Sequence, residues 1–282
     1  MSIEVKNITK NYGSTCALDH VDFKFEENKI YGLLGRNGAG KTTLLNIITN
    51  HIFADEGEVL VDGLHAREND SAQQKIYLMS EKDYYPEKMK IKDIFKWTGS
   101  FYPGFNMDYA MHTAELFELN TDKAVRALST GFHSIFKVII ALSVNTPYIL
   151  LDEPVLGLDA NNRELFYRLL IDKYSNDPCT IVVSTHLIEE VSNVIENVLI
   201  IKKGRIIKNE TREELLSKGY TVSGAASRID SYISGKNVIG TDVLGGLKSA
   251  YIMGDLNMTG IPEGIEVSKM DLQKLFIQLT NA

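Results

Sequence analysis

Ile30-Tyr31-Gly32-Leu33-Leu34-Gly35-Arg36-Asn37-Gly38-Ala39-Gly40-Lys41-Thr42-Thr43-Leu44-Leu45-Asn46-Ile47-Ile48 decides how this chain folds. It opens on an apolar run of strand length, crosses a glycine-rich segment, and continues as a helical pattern. Glycines at such a junction let backbone N–H groups turn inward on an anion, and the N-terminus of the next helix adds partial positive charge. Lys41 is spaced to reach the β- and γ-phosphates of a nucleotide, and Thr42 to ligate Mg²⁺. The stretch predicts an α/β fold that binds a nucleoside triphosphate. A glycine-rich turn before an ordinary helix is the plainer alternative, and the segments downstream decide between them.

Tyr148-Ile149-Leu150-Leu151 reads as a buried parallel strand that ends in Asp152-Glu153-Pro154. In open α/β sheets ligands sit at that carboxyl edge, so Asp152 is placed to hold Mg²⁺ and Glu153 to orient or deprotonate an attacking water. Ile181-Val182-Val183-Ser184-Thr185-His186 is a second such strand ending in a polar cluster. Leu128-Ser129-Thr130-Gly131-Phe132 precedes an apolar helix expected from about Ser134 to Asn145, with Ser129 available as a cap. Taken singly, these are an acidic turn, a structural histidine and a helix start.

In this order and at these separations, the motifs over residues 2 to about 210 resemble the nucleotide-binding subunit of an ATP-binding cassette (ABC) transporter. The resemblance implies a P-loop NTPase core with an antiparallel β subdomain and a helical subdomain. It assigns Tyr12 to adenine stacking and Gly35, Asn37, Gly38, Gly40, Lys41, Thr42 and Thr43 to the Walker A loop. Asp152 matches the Walker B aspartate, Glu153 the catalytic glutamate, Asp159 in Gly157-Leu158-Asp159 the D-loop, and His186 the switch histidine. Ser129 and Gly131 match the signature loop, normally Leu-Ser-Gly-Gly-Gln, with which a second subunit closes over the ATP held by the first.

Three positions depart from the family pattern. Thr130 and Phe132 replace a glycine and the glutamine of the signature, and Glu81 stands where the family has a neutral glutamine. Glu81 brings a second carboxylate towards Mg²⁺ and triphosphate, and implies slower hydrolysis. The expected reaction is hydrolysis of ATP with Mg²⁺, with Glu153, His186 and Lys41 as the catalytic groups and Thr42, Asp152 and Glu81 around the metal. A catalytically weak, regulatory cassette that senses nucleotide or pairs with an active sister is the alternative those substitutions leave open.

Composition bounds the partners. The chain has 282 residues, 44% of them hydrophobic, enough for one large domain and something smaller. It lacks an uninterrupted apolar run of membrane-spanning length and a secretory leader pattern, so the expectation is an unprocessed cytoplasmic protein, and the resemblance implies that it is peripheral to the membrane through a separate permease. A net charge of −7 argues against nucleic acid as a partner. Two cysteines, Cys16 and Cys179, read as reduced thiols, and the remaining histidines show no metal-ligand spacing. Lys88, Lys90, Lys92 and Lys96 read as a solvated helix face.

The expected organisation is an ATPase domain over 1–210, with a helical subdomain at about 82–145, and a small accessory domain over 211–282 closed by an amphipathic helix, Lys269 to Leu279. Trp97, Phe101, Tyr102 and Phe105 fall in the helical subdomain. By resemblance they contribute to a groove for a permease helix, although core packing accounts for most such aromatics. Phe101-Tyr102-Pro103-Gly104-Phe105 also resembles cassettes of Gram-positive bacteria that serve small-peptide or antibiotic export and immunity systems, which makes export the expected direction. Pairing is expected with a second copy or a related ATPase.

Overall fold

The two strands expected to be buried lie next to each other at the centre of one sheet. The computed structural model describes residues 1–82, 84–258 and 260–281. The chain starts with β1 (Ser2–Tyr12) and β2 (Thr15–Glu26), an antiparallel pair in which Val21, Phe23 and Phe25 turn inward while Asp22 and Lys24 face solvent. β3 (Ile30–Leu34) is buried along its whole length and feeds the glycine-rich loop and α1 (Lys41–Ile48). β4 (Glu56–Val61) and β5 (Leu64–His65) complete a four-stranded antiparallel sheet in the order β2-β1-β4-β5. α2 (Asp70–Gln73) then leads into β6 (Ile76–Met79).

Three helices follow, α3 (Ile91–Phe101), α4 (Met107–Leu116) and α5 (Thr130–Ser143), of which α5 packs against β6. α5 starts four residues earlier than the sequence suggests. Thr130 and Gly131 are poor helix formers, but the Ser129 side chain accepts from the Phe132 N–H at 3.4 Å and supplies the cap that lets the helix begin at once. The Lys88–Lys96 cluster is not a single helix face, since α3 starts only after Lys90; Lys92 and Lys90 pair with Asp122, at 2.6 and 3.8 Å.

β7 (Tyr148–Asp152), α6 (Ala160–Asn176), β8 (Thr180–Thr185), α7 (Ile188–Val191), β9 (Asn197–Lys202) and β10 (Arg205–Thr211) complete a six-stranded sheet in the order β10-β9-β3-β8-β7-β6. All pairs in it are parallel except the β9–β10 hairpin. β7 and β8 are buried on both faces, which is why they read as continuous apolar runs rather than alternating ones. The carboxyl ends of β3, β7 and β8 converge on one edge.

After α8 (Arg212–Ser217), β11 (Gly219–Ala225), α9 (Ala226–Tyr232), β12 (Val238–Leu244), β13 (Leu247–Met253) and β14 (Ile265–Lys269) form a separate antiparallel sheet with its own small core around Val222, Ile229, Ala250, Ile252 and Ile265. The final helix is α10 (Leu272–Asn281), not Lys269 to Leu279. The difference arises because Glu266 to Lys269 pair with β11 as an edge strand, Val267 opposite Val222. α10 packs against α7 and α8, and its Leu272, Leu275 and Phe276 join the large core beneath the six-stranded sheet. Leu215 of α8 and Tyr251 and Met253 of β13 join the same cluster, so the small sheet is tied to the main core as well as to its own.

Candidate active site

The glycine-rich loop bends where only glycine fits. Gly40 has φ +112°, and a Cβ there would lie 2.6 Å from the Ala17 carbonyl oxygen, so the loop turns into α1 with its backbone pressed on β2. Arg36, Asn37, Gly38, Gly40, Lys41, Thr42 and Thr43 line a cleft of about 450 Å³ together with Ala17, Glu81, Glu153, Leu156 and His186. The loop, the end of β6, the end of β7 and the residue after β8 thus meet at one opening. Gly35 does not line it, but its carbonyl accepts from Lys41 Nζ at 2.7 Å.

Polar contacts order the wall of that cleft. Thr42 Oγ1 donates to Asp152 Oδ2 at 2.7 Å, and Ser184 Oγ to Asp152 Oδ1 at 2.8 Å. Burial pushes the Asp152 carboxyl above the ordinary aspartate range, against those two hydrogen bonds, which favour its charged form. Glu153 Oε1 lies 3.0 Å from His186 Nδ1 and 3.5 Å from Lys41 Nζ, and its Oε2 accepts from Thr185 Oγ1 at 3.0 Å. Glu153 also has φ +50°, a left-handed conformation costly for a side chain of this kind. Its N–H still donates to the Ser184 carbonyl at 2.8 Å, so the strand ladder holds the backbone while the side chain is redirected into the cleft.

An acceptor pair of one hydroxyl and one carboxylate suits a hard divalent cation such as Mg²⁺, which keeps water and phosphate oxygens for its other positions. Among the described residues no three His, Cys, Asp or Glu side chains are arranged to hold an ion by themselves. Thr42 and Asp152 therefore fit a cation that arrives with a phosphate ligand, and Glu81 lines the same cleft.

Other expected site residues lie elsewhere. Tyr12 ends β1, half exposed at 51%, with Lys10 Nζ 5.6 Å from its ring centre; it is not among the residues lining the cleft. Ser129 caps α5 and Asp159 caps α6, accepting from Asn162 N–H at 2.9 Å. A Cβ on Gly131 would sit 2.9 Å from the Gly157 carbonyl oxygen, so the Ser129 and Asp159 loops touch only because that residue is glycine. Ser129, Gly131 and Asp159 themselves do not line the cleft of their own chain, although Glu153 and Leu156, earlier in the Asp159 loop, do.

Sequence reasoning missed the hydroxyls of Ser184 and Thr185, although both were in the quoted strand. It also missed Arg163, whose Nε donates to the Leu158 carbonyl at 2.8 Å while its guanidinium pairs with Glu190, joining the Asp159 loop to α7. Position four after Asp159 was the available signal, one helical turn into α6. Tyr84, Trp97, Phe101 and Tyr102 border a second groove of about 550 Å³, which Ser80 and Lys82, the neighbours of Glu81, also line. Trp97 and Phe101 are exposed, with rings edge-on at 5.1 Å, while Tyr102 packs on Tyr77 and Phe105 on Phe95.

Residues 18–156 match the family described as ABC transporter. The chain is 31% identical over 196 residues to the ABC transporter ATP-binding protein YtrB of Bacillus subtilis, covering 70% of this chain and 67% of that one. It is 33% identical over 224 residues to an uncharacterized ABC transporter ATP-binding protein, MJ1023, of Methanocaldococcus jannaschii, 77% of this chain and 80% of that one. Relatives named for import also match, among them the tungstate uptake system ATP-binding protein TupC of Peptoclostridium acidaminophilum, 29% identical over 211 residues, 73% of this chain and 97% of that one. Among solved structures, the dimeric structure of MJ0796, a bacterial ABC transporter cassette, superposes with a TM-score of 0.67 at 26% identity, covering 74% of this chain and 98% of that one.

Proposed function

The chain belongs to the ATP-binding subunits of ABC transporters, ATPases that use ATP and Mg²⁺, and from that premise we propose which of its residues perform the hydrolysis and how. Phosphoryl transfer to water needs positioning and charge neutralisation more than covalent help. The backbone N–H groups from Asn37 to Thr43, with Lys41, hold the triphosphate; Glu153 orients the attacking water and accepts its proton; His186 contacts the γ-phosphate. Thr42 and Asp152 would hold Mg²⁺, with Glu81 lining the same cleft, and the ion would supply neutralisation of the phosphate charge. The observation that carries this reading is the Glu153 carboxylate, turned by an unusual backbone into the phosphate cleft beside Lys41 and His186.

Ser129, Gly131 and Asp159 stand away from their own chain's cleft, which fits a site completed by a second cassette. Cassettes of this family dimerise and work with transmembrane permeases. Here we take the pair to be two copies of this chain or this chain with a sister ATPase, set against a permease at the cytoplasmic face of the membrane. The aromatic groove at Trp97 and Phe101 is the docking surface this reading assigns to the permease. Residues 1–210 form the catalytic unit in this reading and 211–282 an accessory one. Export of peptides or amphipathic compounds rests on the segment 101–105 alone; ATP-dependent efflux or uptake in vesicles holding the permease gives the direction.

The test is ATP hydrolysis by the purified chain with Mg²⁺, beside Glu153→Gln, with mass by light scattering with and without ATP. Turnover that the variant loses, with ATP-dependent dimers, is the expected result; equal turnover in both removes Glu153 from catalysis. The second reading, a regulatory cassette, is favoured by Glu81 lining the cleft as a second carboxylate, and predicts ATP binding with no turnover in the wild type.

A further inference from the structure

Thr185 closes β8 and is fully buried, one residue before His186. Its Oγ1 lies 3.0 Å from the Leu187 N–H and 3.0 Å from Glu153 Oε2. A backbone N–H can only donate, so it takes a lone pair of the hydroxyl, and the single hydroxyl hydrogen is left to point at the glutamate. The Leu187 contact therefore fixes the direction of the Thr185 donor.

The two oxygens of Glu153 have partners of different kinds. Oε1 is held by His186 and Lys41, both of which the proposed mechanism needs on phosphate. Oε2 is held by Thr185, which does not line the cleft. Ser184 treats the neighbouring carboxylate in the same way, giving Asp152 Oδ1 its hydroxyl hydrogen across the β7–β8 ladder. Two consecutive hydroxyls of one strand thus hold the two consecutive carboxylates of the next.

We propose that Thr185 is a positioning residue for the hydrolytic step: its hydroxyl keeps the Glu153 carboxylate aimed into the cleft when Lys41 and His186 turn to the phosphates. The proposal rests on the reading of Glu153 as the group that orients the water. It calls for the effect to appear in kcat and not in nucleotide binding, because Thr185 itself does not face the cleft.

The experiment compares wild type, Thr185→Val, Thr185→Ser and Glu153→Gln as full chains, measuring kcat and KM for MgATP, thermal midpoint, and a crystal structure of Thr185→Val. Valine keeps the β-branched shape and removes the donor. Thr185→Val is expected to lose about 10-fold or more in kcat, as for other groups that orient a reacting side chain, with KM within about twofold. Thr185→Ser restores most of the rate, and the Glu153 carboxylate of Thr185→Val is displaced from its wild-type position. Wild-type kcat in Thr185→Val, equal impairment of the serine and valine variants, or an unmoved Glu153 carboxylate overturns the inference. Glu153→Gln separates the two levels: wild-type turnover there removes the underlying reading, whereas an inactive Glu153→Gln beside an unimpaired Thr185→Val removes only the role of Thr185.

Discussion

Leu275→Ala tests whether the end of the chain is part of the ATPase body. Leu275 sits on α10, fully buried, in the same apolar cluster as Ile188 and Val191 of α7, the helix that follows His186. Two polar contacts tie the same helix to the nucleotide side: Lys202 Nζ donates to the Leu279 carbonyl at 3.2 Å, and Arg36 of the phosphate loop to Asn281 Oδ1 at 3.3 Å. Truncation removes three carbons from a site with no solvent exposure. At about 0.8 kcal/mol for each the transfer loss is about 2.4 kcal/mol, and the residual cavity raises it to about 3–4 kcal/mol. For a chain of this size that lowers the thermal midpoint by roughly 5–7 °C. The assay is calorimetry of wild type and variant, with Leu244→Ala as control, since Leu244 is 84% exposed at the tip of the β12–β13 hairpin and its loss stays within about 0.5 kcal/mol. A drop below about 2 °C refutes the argument. So does a small separate transition that absorbs the whole loss while the main one stays in place, because α10 would then unfold without the core.

Glu153→Gln keeps ATP binding and loses about 100-fold or more in turnover, measured by phosphate release beside calorimetric titration; unchanged turnover excludes it as base. Tyr12→Ala weakens ATP binding by about 1 kcal/mol through lost stacking, and equal affinities by titration calorimetry take Tyr12 out of the site. Cys179 is buried, and burial pushes its thiol up to about 11 from an ordinary 9.0. The folded state then holds that proton where the unfolded state releases it, so folding stability falls as pH rises between about 9 and 11, by up to roughly 3 kcal/mol. Cys179→Ala flattens that slope in urea titrations, and an identical slope in both proteins contradicts the assignment. In native protein at pH 8, alkylation reaches exposed Cys16 and spares Cys179.

Much of the site was legible because its motifs are local. The spacing from Gly35 to Thr42 specifies a loop conformation through glycine backbone freedom and a helix N-terminus, both properties of a few adjacent residues. The runs 148–151 and 181–185 announce buried parallel strands by composition alone, and the polar residues that end them fall at the carboxyl edge as a consequence. Legibility fails where a partner is distant in sequence. Thr185 and Ser184 gain their meaning only from carboxylates 32 residues earlier, brought opposite them by the β7–β8 register. The helix boundary at Thr130 moved because a cap outweighed weak propensity, and the one at Leu272 because a strand partner claimed the residues before it.

The sequence by itself determined the α/β class, the phosphate loop, the identity of the two carboxylates at the end of β7 and the family. It could do so because periodicity, glycine placement and motif order are written within short windows. The tertiary structure decided how Glu153 is aimed, which hydroxyls hold it, that Ser129 and Asp159 stand outside their own chain's cleft, and that α10 belongs to the main core. Each of those depends on contacts between residues far apart in the chain, and such contacts exist only once strand register and helix packing are fixed.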